Sequence, residues 1–104
     1  MNNYIQIQVT FPDIDTTQKI TNNLLNERLV SCVQILPILS KYWWENKIVT
    51  TNEYICFMKT KQSLFENIKI KILSAHPYKV PEIIVTPILE GNKDYLAWID
   101  EETC

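Results

Sequence analysis

The chain has 104 residues, ten of them basic and twelve acidic for a formal net charge of −2, and 46% are apolar. That length and apolar fraction build one hydrophobic core and not two, so residues 1–104 are expected to form a single domain without an internal linker. The near balance of charge offers no electrostatic footprint for a phosphate backbone or an anionic lipid surface, which sets nucleic acid aside as a partner. The longest apolar runs are a few residues, against the roughly 20 that an integral membrane contact requires.

In Tyr4 to Phe11, Ile5, Ile7, Val9 and Phe11 alternate with Gln6, Gln8 and Thr10, the period of a half-buried strand. Pro12 breaks that ladder. Asp15, followed three residues later by Gln18, then has the capping-box pattern of a helix start, and Ile20, Leu24, Leu25 and Leu29 supply the apolar stripe. Two long extended stretches follow, Ser31 to Trp44 and Ile48 to Thr60, separated by Glu45-Asn46-Lys47, where Asn46 tolerates the left-handed backbone of a tight turn. The spacing predicts a long β-hairpin, with Pro37 at a bulge or on an edge.

A second helix has Thr60 or Ser63 available as its cap and Leu64, Phe65, Ile68 and Ile72 on one face. It must end near His76, because Pro77 disfavours helical geometry in the residue before it. Val80 to Ile88 reads as a buried strand bounded by Pro81 and Pro87, and after the single glycine, Gly91, Asn92 caps a last short helix carrying Tyr95, Leu96, Trp98 and Ile99. The order βαββαβ plus a helix is an α+β, ferredoxin-like split-βαβ sandwich with a long central hairpin and an extra C-terminal helix.

The hairpin arms approach twice the usual strand length of about 5–6 residues, so their distal part must overhang the sheet. That overhang carries Tyr42, Trp43 and Trp44, which put aromatic rings on both of its faces. The rings either close one end of their own core or dock against another subunit, and the second reading is preferred because a solvated tip does not carry such surface. Three cysteines, Cys32, Cys56 and Cys104, are an odd number without metal-ligand spacing. They argue against a disulfide framework, and with no export signal at Met1 to Tyr4 they lead us to expect a cytoplasmic protein.

The segments Ser31–Ile35, Ser40–Lys47, Lys59-Thr60, His76–Ile83 and Tyr95–Ile99 resemble, in that order and across nearly the whole chain, the CutA family of divalent-cation tolerance proteins. The run His76-Pro77-Tyr78-Lys79-Val80-Pro81-Glu82-Ile83 is the most distinctive of them. The resemblance implies a cytoplasmic ferredoxin-like homotrimer, its long hairpins joining sheets around a three-fold axis, linked to tolerance of copper and other divalent metal ions, and it implies no known reaction. Some bacterial members carry a cysteine and a His-His doublet as proposed copper ligands. The corresponding positions here are Val9 and Ala75, so that of this set only His76 remains. The family's hairpin-tip glycine is replaced by Asn46, which tolerates the same backbone geometry.

His76, the only histidine, stands at a helix end where its ring can ligate a metal or cap the last carbonyls. Cys32 is the candidate soft-metal donor, with burial as its alternative; Cys56 reads as packing and Cys104 as exposed. Enzymatic activity is not expected. No Ser/His/Asp set, Gly-rich phosphate cradle or second histidine is present, and the sole arginine, Arg28, is expected in the first helix rather than in an anion-binding loop. Two function classes follow. In the first, a cytoplasmic homotrimer linked to copper tolerance binds copper ions weakly at clefts between subunits. In the second, a metal-independent trimeric signalling or interaction module holds a small anion or a client protein.

Overall fold

The computed structural model describes residues 3–104 and places strand β1 (Tyr4–Phe11) in the middle of a four-stranded sheet of order β2-β3-β1-β4, with every neighbouring pair antiparallel. The other strands are β2 (Cys32–Trp44), β3 (Lys47–Lys61) and β4 (Ile83–Pro87). The helices are α1 (Ile14–Asn26), α2 (Phe65–Ala75) and α3 (Lys93–Glu102), and a 3-10 turn over Gln62–Leu64 precedes α2. This is the expected α+β, ferredoxin-like arrangement. A crossover helix separates β1 from β2 and β3 from β4, and β3 pairs between β2 and β1.

Alternation decides the two faces of the sheet. Ile5, Ile7, Val9 and Phe11 of β1 lie opposite Thr60, Met58, Cys56 and Tyr54 of β3, and this row packs with Ile20 and Leu24 of α1 and Ile68 and Ile72 of α2. Each such side chain, once fully buried, contributes about 1.5–3 kcal/mol against chain entropy. Burial also pushes the Cys56 thiol up to about 12, so it stays a neutral packing group rather than a thiolate ligand. The opposite row, which includes Gln8, Thr10, Leu36, Glu53 and Ile84, lies on the face away from that core.

Local details differ from the sequence reading in informative ways. Helix α1 is capped by Asp13, not Asp15: Asp13 is extended after Pro12, and its Oδ1 accepts from the Thr16 N–H at 2.7 Å. Neither Thr60 nor Ser63 caps α2, since Thr60 is still paired in β3 and the 3-10 turn leads into the helix without a side-chain cap. The last strand is shorter than Val80 to Ile88 and alternates rather than being buried throughout, because β4 is an edge strand with its outer face uncovered. Pro37 does lie on an edge strand, and the register runs through its pair with Tyr54 without a bulge. Asn92 caps α3 by accepting from the Asp94 N–H.

The hairpin turns through Glu45 and Asn46, both at positive φ (49° and 62°), directly after the pair Trp44↔Lys47. Two left-handed central residues match the twist of the arms. Strand β1 accompanies β3 only as far as Phe11↔Tyr54, so from Ile38↔Glu53 to the tip the hairpin is a bare two-stranded ribbon. It draws the molecule out to 45 Å along its long axis, against 25 and 21 Å across.

Candidate functional site

The stretch after α2 is built around His76. Because β4 pairs with β1 only as far as Val9↔Ile83, the Thr10 carbonyl beyond it has no strand partner. His76 takes that place: its Nε2 lies 2.7 Å from Thr10 O, its Nδ1 accepts from the Tyr78 N–H at 3.0 Å, and its ring stacks on Phe11 at 4.9 Å. With Nδ1 accepting, Nε2 carries the proton and donates, which defines a neutral imidazole with both nitrogens engaged by backbone.

The His76–Tyr78 contact turns the loop around the end of β1 onto the other face of the sheet. There the Tyr78 hydroxyl donates to Glu53 Oε2 at 2.8 Å. Glu53 is the first residue of β3 past the reach of β1, so Tyr78 fills the place where β1 would have continued. Glu53 is only 6% exposed, and burial, reinforced by the bond to Glu53, pushes the Tyr78 hydroxyl well above the usual phenol range. Glu82, on the same loop, accepts from Gln8 Nε2 at 2.8 Å.

Between this loop and the hairpin lies a cleft of about 580 Å³, bordered by Thr10, Tyr42, Trp44, Glu53, Tyr78 and Lys79. Its size is that of a small-molecule site. Sequence reasoning passes over Glu53 and meets Tyr78 only as part of the His76–Ile83 run. A signal exists: an acidic residue within a strand, on the row of Ile55 and Phe57, is a composition that strands disfavour unless a partner is supplied.

Cys32 lies elsewhere. It pairs with Lys59, whereas Thr10, the partner of His76, pairs with Ile55, a separation of four positions or about 13 Å of strand. The neighbour of Cys32 is Tyr95 of α3, whose hydroxyl is pushed up by burial and then by the adjacent thiol. Within one chain the two candidate metal donors are therefore not brought together, and no group of three or more His, Cys, Asp or Glu side chains able to hold a metal ion gathers among the described residues. Tyr42, Trp43 and Trp44 stay outside the chain's own core, with Trp43 72% exposed. The reading in which these rings close that core is thereby removed.

The model of the CutA1 divalent ion tolerance protein family matches residues 5–102. The chain belongs to that family. It is 40% identical over 99 residues to the divalent-cation tolerance protein CutA of Pyrococcus horikoshii, covering 95% of this chain and 97% of that one. Among solved structures, CutA1 from Oryza sativa superposes with a TM-score of 0.95 at 36% identity, covering 98% of this chain and 94% of the other. The periplasmic divalent cation tolerance protein CutA from Archaeoglobus fulgidus superposes with a TM-score of 0.91 at 36% identity, covering 98% of each. The Pyrococcus and Archaeoglobus proteins are named for ion tolerance and not for a reaction, and no helix among the described residues is long and apolar enough to cross a membrane.

Proposed function

We propose that this chain acts in divalent-cation tolerance as a non-enzymatic homotrimer assembled through its long hairpins. The carrying observation is the distal ribbon, where Trp43 and its cross-strand partner Ile48 (72% and 66% exposed) load one face while Tyr42 and Trp44 load the other. A two-stranded hairpin is marginal in water by itself, and the outer edge of β2 offers unpaired ladder groups beside this apolar surface. Closed symmetry buries edge and faces together, which supports assembly over a solvated tip. Three unpaired cysteines support a reducing compartment, the cytoplasm. Sedimentation tests the assembly: a trimer is expected, a monomer at micromolar concentration overturns the reading, and a dimer overturns its three-fold form.

Copper is the metal proposed for this trimer, met weakly at clefts between subunits, with His76 and Cys32 as donors from different chains. The weakness has a physical basis. A ring nitrogen of His76 reaches an ion only by releasing Thr10 O or the Tyr78 N–H, and a buried group left unpaired costs about 1–3 kcal/mol. Imidazole and thiol still favour copper over magnesium. The same engaged nitrogens favour a second reading, a metal-independent trimeric module holding a small anion or client. Calorimetric titration of Cu²⁺, Zn²⁺ and Mg²⁺ into wild type, His76→Ala and Cys32→Ser separates the two. Equal copper affinity in wild type and both variants removes these donors and leaves the metal-independent reading.

A further inference from the structure

Glu53 is a buried carboxylate whose hydrogen bond comes from a neutral hydroxyl, that of Tyr78. None of the four ion pairs among the described residues includes it. A charge in that position is costly unless a cation or further donors compensate it. It does not stand in a closed core, however: it lines the 580 Å³ cleft, and the other carboxylate there, Glu82, is already held by Gln8. Three aromatic side chains, Tyr42, Trp44 and Tyr78, line it as well. Lys79, exposed and in none of those ion pairs, borders the same cleft. The cleft thus brings together an anion, π-faces and a cation.

We propose that this cleft binds a small zwitterion of the amino-carboxylate class, with its ammonium group on the Glu53 carboxylate and its carboxylate at Lys79. An ammonium seated on Glu53 supplies the missing positive charge, and the faces of Trp44 and Tyr42 attract the same group through their quadrupoles. An apolar substituent on the ligand packs against those rings. The Tyr78 bond fixes the Glu53 rotamer in advance, so little ordering is left to be done on binding. Tyr42 and Trp44 belong both to this cleft and to the ribbon face proposed to assemble, so the site is tested in the assembled protein.

The test is calorimetric titration of the intact assembled protein, at neutral pH, with three probes that share a phenyl ring and differ in which charged groups they carry: L-phenylalanine, phenethylamine and 3-phenylpropionate. Phenylalanine should bind best, phenethylamine more weakly, and 3-phenylpropionate not measurably. Glu53→Gln keeps an acceptor for Tyr78 and should weaken both amines by about tenfold or more, as truncating a buried charge partner does. Lys79→Gln should bring phenylalanine down towards phenethylamine and leave phenethylamine itself unchanged. Sedimentation of each variant alongside separates loss of a ligand from loss of assembly. The proposal is overturned if neither amine binds wild type, or if Glu53→Gln binds them as wild type does. It is equally overturned if Glu53→Gln changes the oligomeric state while no probe binds, since a second copy of the chain then occupies the cleft.

Discussion

The two halves of the β2–β3 hairpin share one unbroken register from Cys32↔Lys59 to Trp44↔Lys47, yet they are held by different things. In the proximal half, β1 completes the ladder of β3 and α1 and α2 cover one face, so Cys56 and Met58 are fully buried. In the distal half the same ladder continues with no third strand and with indole rings in solvent. Hydrogen-bond pairing is common to both, so pairing does not distinguish them. What differs is apolar area removed from water, and the distal half lacks it until something else covers it.

The largest expected effect would break the distal half alone. Trp44→Ala should weaken subunit association by about 3–5 kcal/mol if the indole is packed in the assembly, and leave the isolated chain's unfolding nearly unchanged. Dilution in sedimentation should reveal dissociation, and an intact oligomer with unaltered denaturant midpoint would remove Trp44 as an anchor. Met58→Ala is the mirror image in the proximal half. It should cost about 2–5 kcal/mol of chain stability, read by chemical denaturation, with the subunit dissociation constant moving little under folding conditions. If both variants act on folding and association alike, the halves are one cooperative unit and the contrast fails.

A smaller effect sharpens the distal half. Asn46 is held at φ 62°, where a β-branched side chain is strained, so Asn46→Val should cost about 1–2 kcal/mol. Amide exchange should show it as faster opening near Trp43 and Ile48 than near Cys56, and uniform acceleration would mean that the tip is not locally held. The smallest effect belongs to the proximal half and depends on pH. Hydrogen bonds from the Thr16 N–H and hydroxyl hold the Asp13 carboxyl below its usual value. A folded-state value below the unfolded one gives stability that is present above the unfolded value and lost as pH falls through the folded one. The gap between wild type and Asp13→Ala in denaturant midpoint should therefore be visible at neutral pH and close by about pH 2, beneath the carboxylate range. A gap independent of pH would locate the Asp13 contribution outside its charge.

Local pattern carried most of the fold. The alternation of Ile5, Ile7, Val9 and Phe11, the Asn46 turn, the His76-Pro77 stop and the Asn92 cap all act between residues close in the chain, and each lies where the sequence put it. The α1 cap was misplaced by two residues because Asp13 and Asp15 offer similar local chemistry; the end of β1 at Phe11 and the break at Pro12 favour Asp13. The shortened β4 escaped for a related reason, since a run of apolar residues does not state whether a neighbour covers both faces.

The site was less legible than the fold. That His76 ends a helix follows from its proline, but that its ring completes the ladder of β1 depends on β4 stopping at Ile83, 66 positions from Thr10 in the case of the ring itself. Cys32 and His76 look equivalent as donors in a list of residues, and the strand register holds them apart. Glu53 and Tyr78 lie 25 residues from one another, and only the loop passing around the end of β1 brings hydroxyl to carboxylate. Periodicity, capping and turn chemistry are local and can be read along one chain, whereas the meeting of side chains across a sheet is fixed by register and by where neighbouring strands end, which only the tertiary structure decides.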